Sequence, residues 1–352
     1  MPSRVASKPI LLDDAAAAAL LPPRPVRGHK GTFGKLLVIA GSVDYAGAAL
    51  LVCTAAGRAG AGLVTLATPE SLQPLFAAKV VEATTLALPE DDVEEVDPEE
   101  ALARIMDHDH DALVVGPGLK PSLSMTELIR DLLAPDEDGE PLPAVLDAEA
   151  LRSLATVDGW AGEVAARCVL TPHVGEFLRL RAADGHDPKE HGDLVFDAAR
   201  RLAAARDAAR EWGQVVVLKG ARTVIADREG RAAVSPFENP ALASGGTGDV
   251  LAGTIGALLA QGLGTFEAAQ LGVYLHGAAG EAVRARLGDA GLLASDLPAE
   301  LPLARRRLAA LAGASAGAAG HARGVERGGR TAGRRGDAAG RAPGARKAPA
   351  TR

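Results

Sequence analysis

Gly245-Gly246-Thr247-Gly248-Asp249 joins an anion cradle to a carboxylate. Without Cβ atoms at Gly245, Gly246 and Gly248, backbone N–H groups can converge on one point. A helix beginning near Thr247 adds its unpaired first-turn donors and the positive end of its dipole. Such a place takes a phosphate or another anion. Asp249 is then the odd member. An Asp in a first helical turn is stabilising in any protein, but the glycines beside it favour a site where anion and carboxylate share one substrate. A carboxylate next to a transferring phosphate can take the proton from an attacking hydroxyl.

Other candidate chemistry recurs where apolar runs end. Lys35–Ala40 leads into Gly41-Ser42-Val43-Asp44-Tyr45-Ala46-Gly47-Ala48, a strand, small-residue loop and helix start whose glycine spacing is not that of a dinucleotide fingerprint. Ala112–Gly116 is followed by Pro117-Gly118-Leu119-Lys120, a turn where backbone can approach a ligand. Asp147 ends the run Ala144–Leu146 and either caps the next helix or faces a metal–phosphate cluster. Cys168–Thr171 opens into Pro172-His173-Val174-Gly175-Glu176, and His173, at the same sheet edge as the other loops, is placed to meet substrate. Val215–Leu218 ends in Lys219, followed by Gly220, which reads as a nucleotide-phosphate contact. His108-Asp109-His110-Asp111 resembles a metal cluster on paper, but side chains at the entry of the strand Ala112–Gly116 alternate in direction, so it reads as polar loop.

These residues need a scaffold of buried strands alternating with helices. The 352-residue chain is 47% hydrophobic but only 3% aromatic, so its core is aliphatic, and its 41 glycines suit a parallel α/β domain. Helices are expected over about Leu11–Leu21, Ala46–Gly60, Met125–Leu133, 193–212, from Thr247 and over Thr265–Leu287. Ala252, Gly256 and Ala260 make a small-residue face that packs the helix after Asp249 tightly. Residues 1–34 read as an arm and 35–311 as the domain. Residues 312–352 read as a disordered basic Ala/Gly/Arg-rich tail that cannot offset its ordering entropy by burial, or as the product of a frame shift.

The net charge of −7 is divided unevenly: from Ala304 onward there are 12 Lys/Arg against 2 acids, leaving −17 on the preceding residues. That acidic body argues against nucleic acid as substrate. Residues 90–100, with eight acids in eleven positions, read as a solvated loop running into a helix. Cys53 and Cys168 sit in apolar runs without metal-type spacing, as small buried residues of a reducing cytoplasm. Neither a signal sequence nor a membrane-length apolar run is present, so a soluble cytoplasmic protein is expected.

The ordered set Lys30-Gly31-Thr32-Phe33-Gly34, Gly41-Ser42 with Gly47-Ala48, Gly116-Pro117-Gly118-Leu119, Leu146-Asp147-Ala148, Leu170–Phe177, Val217–Gly220 and Gly245–Asp249 resembles the ADP-dependent NAD(P)H-hydrate dehydratases of the ribokinase-like superfamily. The match covers about residues 11–303. The resemblance implies a three-layer α/β/α sandwich with a mainly parallel sheet. It also implies repair of the S form of hydrated NADH and NADPH: a nucleotide phosphorylates the ring hydroxyl, and loss of phosphate restores the double bond. ADP is the implied co-substrate, giving AMP, with ATP as the other donor and Mg²⁺ as cofactor, its ligands unassigned. By motif, Ala48, Gly118, His173 and Asp249 contact the hydrated cofactor, Asp249 as the base. Lys219, Gly220, Ala221, Arg222, Thr223 and Gly248 hold the nucleotide, and the amides of Gly245, Gly246, Thr247 and Gly248 hold the transferring group. A homotetramer and a separate epimerase are implied partners, with no specific nucleic acid and no membrane. A ribokinase-like kinase for a vitamin-precursor alcohol shares Gly245–Asp249 but would release a stable phosphorylated product. A nucleotide sensor without turnover would keep the glycines and need no Asp249.

Overall fold

A computed structural model describes residues 8–91, 95–134 and 142–328. The chain divides into one compact unit through Ala312 and a second from Gly313 onward. The strands are β1 (Ile10–Leu11), β2 (Lys35–Ile39), β3 (Leu63–Pro69), β4 (Thr84–Leu88), β5 (Ala112–Val115), β6 (Ala144–Leu146), β7 (Cys168–Leu170), β8 (Val215–Leu218), β9 (Val224–Ala226) and β10 (Ala232–Val234). Among the described residues they form one sheet in the order β1-β10-β9-β8-β7-β6-β5-β2-β3-β4. From β4 to β8 every pairing is parallel, while β9 is antiparallel to both β8 and β10.

The helices are α1 (Asp14–Ala19), α2 (Ala46–Ala59), α3 (Gln73–Ala77), α4 (Pro98–Met106), α5 (Leu123–Leu133), α6 (Glu149–Leu154), α7 (Val174–Ala183), α8 (Ala198–Trp212), α9 (Thr247–Ala260), α10 (Thr265–Leu287) and α11 (Leu297–Gly328). Strand alternation sorts the core into two layers. Leu36, Val38, Val114, Val145 and Val169 face α2, α9 and α10, whereas Leu37, Ile39, Leu113, Val115 and Leu146 face α4 to α8. The expected three-layer sandwich is the observed one, its core mostly aliphatic but with Phe76, Trp160, Phe177 and Tyr274 fully buried in it.

Strand order creates the crevice. After β2 the chain moves outward to β3 and β4, then returns to β5 on the other side of β2 and continues to β6, β7 and β8. Loops leaving β2 and β5 therefore diverge, and ligands bind at such a switch point beyond the strands' carboxyl ends.

Two expectations change and a third holds. The helix expected over Leu11–Leu21 is shorter: Leu11 pairs with Val234 as edge strand β1, and Asp13 caps α1 by accepting from the Ala16 N–H at 2.8 Å. Sheet pairing at the exposed edge of β10 outcompetes local propensity there. The last helix does not stop near Leu311 but runs to Gly328, because the Ala-rich stretch favours helical backbone. The remainder of the expected tail, 329–352, lies outside the described residues. Finally, the acid-rich loop does lead into α4, capped by Asp97 on the Glu100 N–H at 3.0 Å, while its residues 92–94 lie outside the described ones. Cys53 and Cys168 are buried free thiols, and burial pushes Cys53 up to about 12.

Candidate active site

Helix α9 begins at Thr247 after Gly246, whose φ of +86° is a left-handed conformation that a side chain would strain. Its start is tied down by side-chain bonds: the Thr247 hydroxyl donates to the carbonyls of Leu242 at 2.8 Å and Ser244 at 2.9 Å. Its body is wedged between α2 and the sheet. A Cβ on Gly253 would stand 2.3 Å from the Val52 carbonyl oxygen, and one on Gly256 would stand 2.3 Å from Val114 Cγ2. Gly256 belongs to the expected small-residue face, and Gly253 adds the close approach to α2. With no room to slide, α9 holds Asp249 at a set point.

Around that point two strands and two helices deliver charge. Lys219, at the end of β8, places Nζ 2.8 Å from Asp147 Oδ1 and 4.0 Å from Glu176 Oε2. Asp147 follows β6 and is 2% exposed, and the same Oδ1 accepts from the Thr171 hydroxyl at 2.8 Å. Of the two readings open for Asp147, capping is overturned: α6 has no side-chain cap, and its neighbour Ala148 takes a φ of +51° while the carboxylate turns to Lys219. Burial alone would lower Lys219, but Asp147 and Glu176 outweigh it and hold the ammonium above its ordinary range.

Asp249 feels the opposite balance. Burial, reinforced by the negative charge of Asp147 and opposed by Lys219, pushes its carboxyl up from 3.8 to about 7. A Cβ on Gly248 would lie 3.4 Å from Lys219 Nζ and 3.7 Å from Asp147 Oδ2, so glycine keeps the space in front of these charges open. His173 caps α7: Nδ1 accepts from the N–H groups of Gly175 at 3.0 Å and Glu176 at 3.3 Å, while Glu176 Oε2 accepts from the His173 N–H at 3.0 Å. Burial lowers its imidazole, against the pull of Glu176. The arrangement can bind an anion, supply a cation beside it and accept a proton near neutral pH.

The structure thus brings His173, Lys219, Gly248 and Asp249 around one centre, with Asp147, as in the second of its two readings, and with Glu176, to which sequence reasoning had given no role there. Lys219, Gly220, Ala221, Thr223, Thr247 and Gly248 line a cavity of about 540 Å³ running from this centre toward β10 and α10. Arg222 does not line it; its φ is +54° and its Nε lies 3.9 Å from Glu238. Behind that turn, buried Arg201 of α8 donates to the Ala221 carbonyl. Gly118 (φ +68°) instead approaches α2, where a Cβ would lie 2.8 Å from Ala48 Cβ and from the Tyr45 carbonyl oxygen. These loops border a second cavity of about 240 Å³, lined by Gly41, Ser42, Asp44, Leu119 and Lys120. Asn239 and His276 also line the large cavity. A histidine within the buried Ala-rich run of α10 is the signal that could have found the latter.

The His108–Asp111 segment lies at the strands' amino ends, where Asp109 pairs with Lys35 and Asp111 accepts from the Lys35 N–H at 2.8 Å. Among the described residues, one group of three His, Asp or Glu ligand atoms falls within 4.8 Å: Asp184, His186 and Glu211, beyond the carboxyl end of α7. There Asp184 accepts from Trp212 Nε1 at 3.1 Å and Glu211 pairs with Arg181.

Comparison with known proteins agrees with this geometry. The family profile described as NAD(P)H-hydrate dehydratase matches residues 36–303. The chain is 41% identical over 308 residues to the bifunctional NAD(P)H-hydrate repair enzyme Nnr of Moorella thermoacetica, covering 85% of this chain and 54% of that one. It spans about half the length of several such bifunctional relatives. It is 36% identical over 285 residues to the ADP-dependent (S)-NAD(P)H-hydrate dehydratase of Neisseria meningitidis, covering 80% of this chain and 88% of that one. Among solved structures, the ADP/ATP-dependent NAD(P)H-hydrate dehydratase of Bacillus subtilis, co-crystallised with ATP and Mg²⁺, superposes with a TM-score of 0.70 at 32% identity, over 86% of this chain and all of that one.

Proposed function

The chain belongs to the NAD(P)H-hydrate dehydratase family, and on that premise we propose that it returns the S form of hydrated NADH and NADPH to the reduced cofactors at the expense of ADP. Hydroxide is a poor leaving group and phosphate a good one. One phosphoryl transfer to the ring hydroxyl therefore makes elimination feasible, releasing phosphate and leaving AMP from ADP. Asp249 takes the hydroxyl proton as the oxygen attacks phosphorus. Its carboxyl, at about 7, is basic enough to accept that proton and still ionised in a useful fraction at neutral pH. The observation that carries the reading is the placement of Asp249 in the first turn of α9, with the Lys219–Asp147 pair in front of Gly248.

The amides of Gly245, Gly246, Thr247 and Gly248 and the dipole of α9 receive the transferring group, and Lys219 meets charge developing on it. Lys219, Gly220, Ala221, Thr223 and Gly248 hold the nucleotide, with its base in the large cavity, while Arg222 lies outside that cavity beside Glu238. Ala48, Gly118 and His173 hold the hydrated cofactor across the β2–β5 crevice. The oxygen donor facing Gly248 is the Asp147 carboxylate, the hard-ligand chemistry that Mg²⁺ takes. That ion would come with the nucleotide's phosphates and offset their charge.

A reducing cytoplasm suits the two unbridged cysteines. A homotetramer is the expected assembly, and an activity that interconverts the two hydrate epimers is the expected functional partner.

The test is reduced-nicotinamide absorbance after mixing the protein with hydrated NADH, Mg²⁺ and ADP, with ATP in parallel. A rise dependent on ADP establishes the reaction and the donor; a rise only with ATP corrects the donor. No rise with either, from folded protein, would move the assignment to a small-molecule kinase.

A further inference from the structure

The large cavity is lined by Phe237, Leu242 and Val273, apolar surfaces against which a flat base can lie, and by two polar groups whose orientation is not free. Asn239 Oδ1 is committed: it accepts from the Ala241 N–H at 2.9 Å and caps the short turn Pro240–Leu242. The amide nitrogen, which cannot exchange places with that oxygen without breaking the cap, is buried and has no hydrogen-bond partner. A buried unpaired amide donor costs free energy unless a ligand completes it. His276 is fixed in the same way. Its Nε2 lies 2.9 Å from the Thr247 carbonyl oxygen, an acceptor only, so Nε2 carries the hydrogen and Nδ1 the lone pair. Burial drives this imidazole down to about 4, so it stays neutral with Nδ1 as an acceptor. Among the described residues Nδ1 has no partner.

We propose that Asn239 and His276 select the nucleobase: the Asn239 amide donates to a ring nitrogen, and His276 Nδ1 accepts from an exocyclic amine. The cavity thereby offers one committed donor and one committed acceptor beside the apolar side chains of Phe237, Leu242 and Val273, with Thr223, Ser235 and Glu238 also on its wall. Adenine answers both, with unprotonated ring nitrogens and an amino group at C6. Guanine and hypoxanthine carry a carbonyl at C6 and a hydrogen on N1. Against them His276 Nδ1 faces a second lone pair, and a donor directed at N1 meets another donor. Mismatched buried polar groups discriminate more strongly than missing apolar contact. His276 also bonds the first residue of α9, so base recognition sits one hydrogen bond from the phosphate cradle. This inference rests on the nucleotide reading of the cavity and adds which base it takes and why.

The experiment measures dissociation constants of ADP, inosine diphosphate and GDP by calorimetry, for the wild type and Asn239→Asp. Aspartate keeps the oxygen that caps Ala241 and puts a second acceptor, with a negative charge, where the donor was; the charge acts on all three nucleotides alike, so the ratio of their affinities is the readout. The wild type should bind ADP at least about tenfold more tightly than either 6-oxopurine nucleotide. Asn239→Asp should lower the preference for ADP over GDP and inosine diphosphate by about tenfold. Equal affinity of the wild type for all three overturns the proposal, as does a folded Asn239→Asp that keeps its full preference for ADP. If the variant does not fold, the wild-type base panel still decides. Selective ADP binding without repair turnover would keep the base reading and remove the proposed reaction. Turnover with all three donors alike would do the reverse.

Discussion

The sharpest test concerns Asp249 and pH. Burial and the charge of Asp147 raise its carboxyl from 3.8 to about 7, roughly 3 units, and at about 1.4 kcal/mol per unit this disfavours the ionised form by about 4 kcal/mol. As a base, Asp249 must be ionised, so kcat/KM for hydrated NADH at saturating ADP should rise with unit slope and level off above a midpoint near 7. Replacing Asp147→Asn removes a like charge and frees Lys219 from its closest partner. Both changes lower Asp249, and the midpoint should fall by about one unit even if the plateau drops. Stability runs the other way. Between about 4 and 7 the folded protein holds a proton on Asp249 that the unfolded chain has lost. Stability contributed by this group therefore falls as pH rises through that window and stays low above it. Asp249→Asn should accordingly abolish turnover yet melt higher than the wild type at pH 8, the gain shrinking toward pH 5. A rate profile flat from pH 5.5 to 8, or an active Asp249→Asn, would refute the assignment of Asp249 as the base.

Three further outcomes are expected. Lys219→Met leaves Asp147 and Glu176 buried together and should cost about 3 kcal/mol in denaturant unfolding. Adding Asp147→Asn should recover most of that loss without restoring nucleotide binding. Gly253→Ala puts a methyl 2.3 Å from the Val52 carbonyl, so α9 must move off α2. A loss of about 1–3 kcal/mol with a disproportionate fall in kcat is expected, and unchanged kcat would separate α9 packing from the chemistry. His173→Asn keeps a side-chain acceptor for the Gly175 and Glu176 N–H groups, so its melting temperature should stay near wild type while KM for the hydrated cofactor rises. His173→Ala should in addition lose about 1 kcal/mol of stability.

Much of the site was legible in sequence because it is local. The glycines before Asp249, the start of α9 at Thr247, the strand ending at Lys219 and the loop carrying His173 are each written in a few consecutive residues, and all meet at one sheet edge. The aliphatic runs marked the central strands, since a strand buried on both faces shows no polar alternation. The short edge strand at Ile10–Leu11 was not legible: two residues have no period, and what makes them a strand is the free edge of β10, more than two hundred residues away.

The sequence alone marked the central strands and the helices around them and singled out Gly245–Gly248 and Asp249 as a candidate cradle and carboxylate, because backbone propensity and glycine geometry act within a few residues. Only the tertiary structure decided what that carboxylate is. Asp147, Glu176, Lys219 and Asp249 are far apart in the chain, and sheet order places them side by side. The raised carboxyl of Asp249, the paired ammonium of Lys219 and the committed orientations of Asn239 and His276 all come from desolvation and from neighbours supplied by other elements. Such quantities have no local signature, because burial and Coulomb interaction depend on distance through space and not along the chain.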